Sequence, residues 1–207
     1  MQTGHVDVVE DDESLRNSIN GLLTFAGYEV CTWSDAESFL NHLPQTAPAV
    51  LVTDMRIPGL SGIELHNELL QRRRNMPVIY ISGEATVPQT ISAMKLGAQD
   101  FLVKPFTREE LLKAVAAGIE KDRIQMQRMI DLARLEESLA HLSRREREVF
   151  DLLRKGFSNA EIMDRLNISL PTAKQYKSML MRKLGVRSLS QLLQLSARLQ
   201  IENLEPS

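Results

Sequence analysis

Short runs of β-branched and aliphatic residues alternate with amphipathic stretches through the first 120 residues. HVDVV, EVCTW, AVLVT, VIYIS and DFLVK recur about every 20 to 25 residues. Strands that are apolar on both faces, separated by helical segments, are the rhythm of a parallel sheet with crossover helices. The helix starts are legible too. Ser34/Glu37, Ser61/Glu64, Thr86/Gln89 and Thr107/Glu110 fit the capping box, in which a hydroxyl and a carboxylate or amide three residues on satisfy the free N–H groups of a first turn. Five strands and about five helices are predicted over residues 5–120, an α/β doubly wound, five-stranded parallel sheet.

The pattern then changes. From Glu120 to His141 there is no Pro or Gly, and the mixed-charge stretch predicts a helical connector. Leu132, Leu135, Leu139 and Leu142 follow 3-4-3 spacing, a stripe suited either to a partner helix or to packing against a neighbouring domain. Beyond it, boxes at Ser143/Glu146 and Ser158/Glu161 open two helices, with Gly156 closing the first and Asn167 near the end of the second. Ser169 caps a third with Pro171 in its first turn, and Leu189, Leu192, Leu193 and Leu195 mark a fourth from Ser188 to Leu199. The expected organisation is a domain over 1–120, a helical linker over 121–138 and a small all-α four-helix domain over 139–207.

Composition sharpens this division. Residues 1–120 hold 9 Lys and Arg against 16 Asp and Glu, a net of -7, whereas residues 121–207 hold 16 against 11, a net of +5. An acidic half joined to a basic half suggests two tasks, the basic one on a polyanion. The single Cys31 excludes an internal disulfide, and no Cys/His cluster has zinc spacing along the chain. The N-terminal MQTGHVDVV lacks a basic region leading into a long apolar run, and no stretch approaches a membrane span, so a soluble cytoplasmic protein is expected.

Ligands of an open parallel sheet gather beyond the carboxyl ends of its strands. There the sequence places Glu10-Asp11-Asp12-Glu13, Asp54, Ser82-Gly83 and Lys104-Pro105. Carboxylates brought together at adjacent strand ends repel unless a cation sits among them, and an oxygen-rich set suits Mg²⁺. With that charge and Lys104 nearby, a carboxylate can attack phosphorus and form an acyl phosphate, while Ser82 offers a hydroxyl and Gly83 leaves space for the phosphoryl group. Taken singly, Glu10 and Asp11 could equally cap the first helix, Ser82 a turn, and Lys104 could be solvated.

Together, Glu10/Asp11, the segment D54-M-R-I-P-G-L-S-G, Y80-I-S-G and K104-P-F resemble the receiver domain of bacterial two-component response regulators, over residues 5–120. The resemblance implies a flavodoxin-like fold and Asp54 as acceptor of a phosphoryl group from a sensor histidine kinase. It implies Mg²⁺ held by Glu10, Asp11, Asp54 and the backbone carbonyl of Arg56. It implies that Ser82, Gly83 and Lys104 meet the phosphoryl group, that the Lys104-Pro105 bond is cis, and that Phe101 turns inward with Ser82 on activation. Glu10 and Ser82 stand where the family more often has Asp and Thr, substitutions that keep the functional group and affect rates or phosphate lifetime.

In the basic half, PTAKQYKSMLMRKL (171–184) carries Lys174, Lys177, Arg182 and Lys183 and no acid. As a helix it turns Ala173, Leu180 and Leu184 inward and offers Lys174 and Lys177, with Gln175 and Tyr176 beside them, to a major groove. L142-S-R-R-E-R-E-V-F, G156-F-S-N-A-E-I-M-D-R-L-N-I-S, T172-A-K and K183-L-G-V-R resemble the LuxR-type helix-turn-helix, and the domain order is similar to the NarL/FixJ class. That resemblance implies DNA contacts from Lys174, Gln175 and Ser178, with Thr172, Tyr176 and Arg182 beside them and Asn159, Lys177, Arg144 and Arg187 as weaker candidates. Ala173, Tyr176 and Ala160 depart from the usual Val, His and Lys.

The function so implied is phosphorylation-controlled transcription regulation, in the commoner case activation, by a phosphoacceptor that assists its own phosphotransfer and autodephosphorylation and is otherwise no enzyme. Its partners would be the kinase, promoter double-stranded DNA, a second copy when phosphorylated, with Ile91, Met94 and Lys95 as candidate contacts, and RNA polymerase; no membrane is involved. Two other readings stand beside it. One is a DNA-binding regulator indifferent to phosphate, its receiver serving as a dimerisation module. The other is a Mg²⁺-dependent phosphatase of the haloacid-dehalogenase type, which needs a second Asp where Arg56 stands.

Overall fold

The computed structural model describes residues 4–43, 48–84 and 86–202, with side chains described as far as residue 195 of the last helix. The outermost residues of the two expected end domains, 1–3 and 203–207, lie outside this range. The chain divides into two compact units, residues 1–127 and 128–207.

The first unit is built on strands β1 (His5–Val9), β2 (Glu29–Trp33), β3 (Ala49–Asp54), β4 (Val78–Ser82) and β5 (Asp100–Val103), all parallel, in the order β2-β1-β3-β4-β5. Helices α1 (Glu13–Phe25), α2 (Ala36–Asn41), α3 (Gly62–Gln71), α4 (Val87–Lys95) and α5 (Arg108–Ala140) connect and cover it. Strand positions alternate between two apolar layers. Val6, Val8, Val50, Val52, Ile79 and Ile81 pack with α1 and α5, while Val9, Leu51, Val78 and Tyr80 pack with α2 and α3. The order reverses at β1, so the ends of β1 and β3 flank the switch point where such sheets bind ligands.

The boxes at Ser61/Glu64 and Thr86/Gln89 form as predicted, and Thr107 and Glu110 exchange the same bonds. The box at Ser34/Glu37 does not. Asp35 caps α2 through the N–H of Ser38 at 2.8 Å, because an ionised carboxylate one residue on is the stronger acceptor. Asp12, not Glu10 or Asp11, caps α1, which leaves those two carboxylates available to the strand ends. The expected connector is no separate element but the second half of α5, since nothing between residues 120 and 140 breaks the helix.

The second unit holds the end of α5 with α6 (Arg144–Arg154), α7 (Asn159–Leu166), α8 (Leu170–Lys183) and α9 (Leu189–Glu202). Leu135 and Leu142 are buried, and Leu139 half-buried, in one core with Val149, Leu153, Ile162, Ala173, Leu180 and Leu192. Of the two readings of the leucine stripe, packing against a neighbouring domain is the one found. Asn167 ends α7 in the left-handed region at φ 50°, a conformation Asn tolerates better than most side chains.

Candidate phosphoacceptor site and nucleic-acid interface

Asp54 is the last residue of β3 and 7% exposed, and Glu10, just past β1, is 1% exposed. Carboxylate oxygens of Glu10, Asp11 and Asp54 lie within 4.8 Å of one another. Lys104, beyond β5, reaches across the strand ends. Its ammonium donates to Glu10 Oε2 at 2.7 Å and makes a short ion pair with Asp54 Oδ2. Burial draws the Lys104 pKa down, but the bonds to and charges of Asp54 and Glu10 outweigh it and raise it. The Glu10 carboxyl is raised by burial, against the lowering effect of Lys104 and with that of the Asp54 charge. Lys104 therefore stays cationic, a single ammonium beside a cluster of three carboxyl groups.

The surroundings fix this geometry. The Arg56 N–H donates to Asp54 Oδ1 at 2.7 Å. Gly62, the first residue of α3, lies so close behind the acceptor that a Cβ there would stand 2.5 Å from the Asp54 carbonyl oxygen. At Gly59 the chain turns through φ 84°, open to glycine and strained for most side chains. Arg16 on α1 donates from Nη1 to the carbonyls of Glu10 at 2.7 Å and Asp11 at 3.1 Å, fixing the acidic loop. A Cβ at Gly83 would meet no atom within 4 Å, so the space beside Ser82 is open. The Ser82 hydroxyl is engaged with the Glu84 backbone, donating to its carbonyl at 3.2 Å. Glu84 and Arg56 form an exposed ion pair at 3.0 Å. The Lys104-Pro105 bond is cis.

On the β4–β5 side two aromatic rings pack together. Phe101, half-buried on β5, lies with its centroid 6.3 Å from that of Tyr80, its register partner on β4. The Tyr80 hydroxyl meets His66 Nδ1 on α3 at 2.9 Å. Burial, with the Lys121 charge behind it, lowers the His66 pKa to about 4, and burial pushes the Tyr80 phenol far up, so both stay neutral. Ile91, Met94 and Lys95 are exposed on α4. The structure adds Val87 and Val103, also exposed and apolar, which the sequence reading missed because exposure at a strand end leaves no mark in a short local pattern.

In the second unit α8 follows α7 through a short turn. Ala173, Leu180 and Leu184 are buried, as their spacing predicts, and Lys174, Gln175, Ser178 and Arg182 are exposed. Lys174, Lys177, Ser178 and Arg182, joined by Met181, Val186 and Arg187, line an open groove of about 430 Å³. None of the four cations pairs with a carboxylate among the described residues. Tyr176 is half-buried with its ring against the core, and Thr172 is engaged in the cap through the Ser169 hydroxyl at 2.7 Å. Those two carry less of the exposed surface than their positions in the sequence suggest. Asn159, in the first turn of α7, is half-buried. Lys183 turns away from the groove and pairs with Glu146 at 2.7 Å, tying α8 to α6.

Residues 6–116 match the family described as response regulator receiver domain, and residues 140–196 match bacterial regulatory proteins of the luxR family. Nodulation protein W of Bradyrhizobium diazoefficiens is 38% identical over 95% of this chain and 86% of its own length. The transcriptional regulatory protein FixJ of the same organism is 36% identical over 94% of this chain and 95% of its own. Among solved structures, response regulator StyR is 37% identical with a TM-score of 0.81, covering 96% of this chain and all of that one. Among the described residues no helix is long and apolar enough to cross a membrane. The matches are to a receiver domain, a luxR-family regulatory domain and a transcriptional regulatory protein, which support the regulator reading over the phosphatase one. The chain belongs to the two-component response regulators of the NarL/FixJ class, a receiver domain followed by a LuxR-type helix-turn-helix domain.

Proposed function

We propose that Asp54 is the phosphoacceptor and that its phosphorylation governs binding of promoter DNA by α8, in the cytoplasm. The observation that carries this reading is the Lys104 ammonium held between Glu10 and Asp54. A cation poised on a nucleophilic carboxylate can transfer its charge to the oxygens of an arriving phosphoryl group.

The hard oxygen set of Glu10, Asp11 and Asp54, with the backbone carbonyl of Arg56, fits Mg²⁺. Bound there, Mg²⁺ supplies neutralising charge between the carboxylates and the phosphoryl oxygens. An Asp54 carboxylate oxygen attacks phosphorus, the O–P bond forms, and the P–N bond to the kinase histidine breaks with its electron pair remaining on the imidazole. Lys104 moves from the carboxylates to a phosphoryl oxygen. Ser82 turns its hydroxyl from the Glu84 carbonyl to another, and the phosphoryl group uses the open space at Gly83. Phe101 follows Ser82 inward, and Val87, Ile91, Met94, Lys95 and Val103 become a surface for a second copy. Two DNA-binding units then engage neighbouring half-sites, which raises apparent affinity through effective concentration. Lys174, Gln175 and Ser178 face the bases, Lys177 and Arg182 the phosphates, and RNA polymerase is recruited there. The receiver also positions the water that removes the phosphate.

Incubation of the full chain with acetyl phosphate and Mg²⁺ is expected to add one phosphoryl mass, absent from Asp54→Asn. An unmodified native chain, or a modified Asp54→Asn chain, contradicts the assignment.

A further inference from the structure

A second cluster of ligating side chains lies away from the phosphoacceptor site. Asp7, in the middle of β1, is 1% exposed. His5 precedes it by two residues, and Cys31 is its register partner on the edge strand β2. A ring nitrogen of His5, a carboxylate oxygen of Asp7 and Sγ of Cys31 lie within 4.8 Å of one another. The Trp33 indole N–H donates to Asp7 Oδ1 at 2.9 Å, whereas Oδ2 is buried with no hydrogen-bond partner. His5 Nε2 approaches Oδ2 to 3.3 Å without the alignment of a hydrogen bond. A buried carboxylate oxygen that faces a histidine ring nitrogen at 3.3 Å without a hydrogen bond, in one cluster with a thiol, calls for an explanation.

We propose that His5, Asp7 and Cys31 form a binding site for one thiophilic divalent cation, Zn²⁺ fitting the donor set best. Nitrogen, sulfur and a single carboxylate oxygen are its usual ligands, whereas Mg²⁺ and Ca²⁺ take oxygen sets. Tetrahedral ligands at about 2.0–2.3 Å from zinc stand roughly 3.5 Å apart. Rotation of the exposed Cys31 side chain, on an edge strand, closes that difference and gives the ion access from solvent. Binding sends the thiol proton to solvent, gives Oδ2 its partner and leaves a fourth position for water. The charge environment agrees. Burial holds the Asp7 carboxyl above its ordinary range despite Trp33, His5 and Arg74, and burial with the charges of Asp7 and Glu29 raises the Cys31 thiol. Negative groups that disfavour a free thiolate favour a metal-bound one. Because the ligands come from β1 and β2, the ion would join the edge strand to the sheet.

The test is titration of the full reduced chain with Co²⁺, a spectroscopic stand-in for Zn²⁺, in excess Mg²⁺ to occupy the acidic pocket. One equivalent is expected to produce a thiolate-to-cobalt charge-transfer band that Zn²⁺ abolishes. Cys31→Ser and His5→Gln, each checked for folding by circular dichroism, should lose the band, and Asp54→Asn should keep it. Absence of the band from the native chain, its survival in folded Cys31→Ser or His5→Gln, or its loss in Asp54→Asn overturns the proposal. Cys31 is exposed, so its replacement leaves a folded chain to be read.

Discussion

Single atoms decide the proposed phosphoacceptor site. Gly62 is the residue that backs Asp54, and a methyl there meets a carbonyl oxygen that cannot move without moving the acceptor. Gly62→Ala should therefore destabilise the receiver by about 1–3 kcal/mol in denaturant unfolding, and slow phosphorylation of what remains folded. Gly83→Ala faces open space and should leave stability within about 0.5 kcal/mol of native while hindering the phosphoryl group. The pair separates a backbone role from a ligand-space role at two glycines that look alike in the sequence. In the second unit Glu146 makes a comparable anchor. It is 1% exposed, and its hydrogen bond to Lys183 lowers its pKa. A depressed carboxyl stabilises the fold above its unfolded pKa and loses that contribution as pH falls through the folded value.

At the scale of elements, the chain from α3 through β4 to β5 places neutral His66 beneath the Tyr80–Phe101 ring pair. Since His66 is lowered from 6.5 to about 4, the unfolded chain takes up a proton that the folded one refuses between those values. Its contribution is complete above pH 6.5 and is lost as pH falls towards 4, which amounts to about 2 kcal/mol between pH 7 and pH 5. Chemical denaturation at the two pH values should show that loss in the native chain and lack it in His66→Phe. For α8, Lys174→Ala with Gln175→Ala should abolish sequence-specific footprints. Lys177→Ala should instead weaken binding to all sequences and reduce the salt slope by about 1. Much of this was legible in the sequence. Hydrophobic alternation gave the strands, and five of the six capping boxes form where they were read. Asp35 won over Ser34 because its ionised carboxylate is the stronger acceptor, a competition that two adjacent good caps leave open in a local pattern. The His66–Tyr80 and Glu146–Lys183 partnerships join residues 14 and 37 positions apart, and such contacts leave no periodic trace. The acidic cluster was readable because strand ends of a parallel sheet converge whatever their separation along the chain.

For the molecule as a whole, the acidic and basic halves anticipated from charge correspond to the receiver domain and the luxR-family domain. Neither the Asp54 pocket nor the α8 groove regulates anything unless the state of one changes the affinity of the other. Under the proposed function the exposed apolar residues Val87, Ile91, Met94 and Val103 would offer the means, since pairing of two copies through them would raise the effective concentration of the DNA-binding units. The most direct measurement is the affinity of the full chain for a DNA fragment it selects from genomic DNA, before and after treatment with acetyl phosphate and Mg²⁺. Phosphorylation is expected to tighten binding by on the order of 10²-fold, with no change in Asp54→Asn. Equal affinity with and without phosphate on Asp54, or the same gain in Asp54→Asn, would contradict phosphorylation control and leave the receiver as a dimerisation module alone.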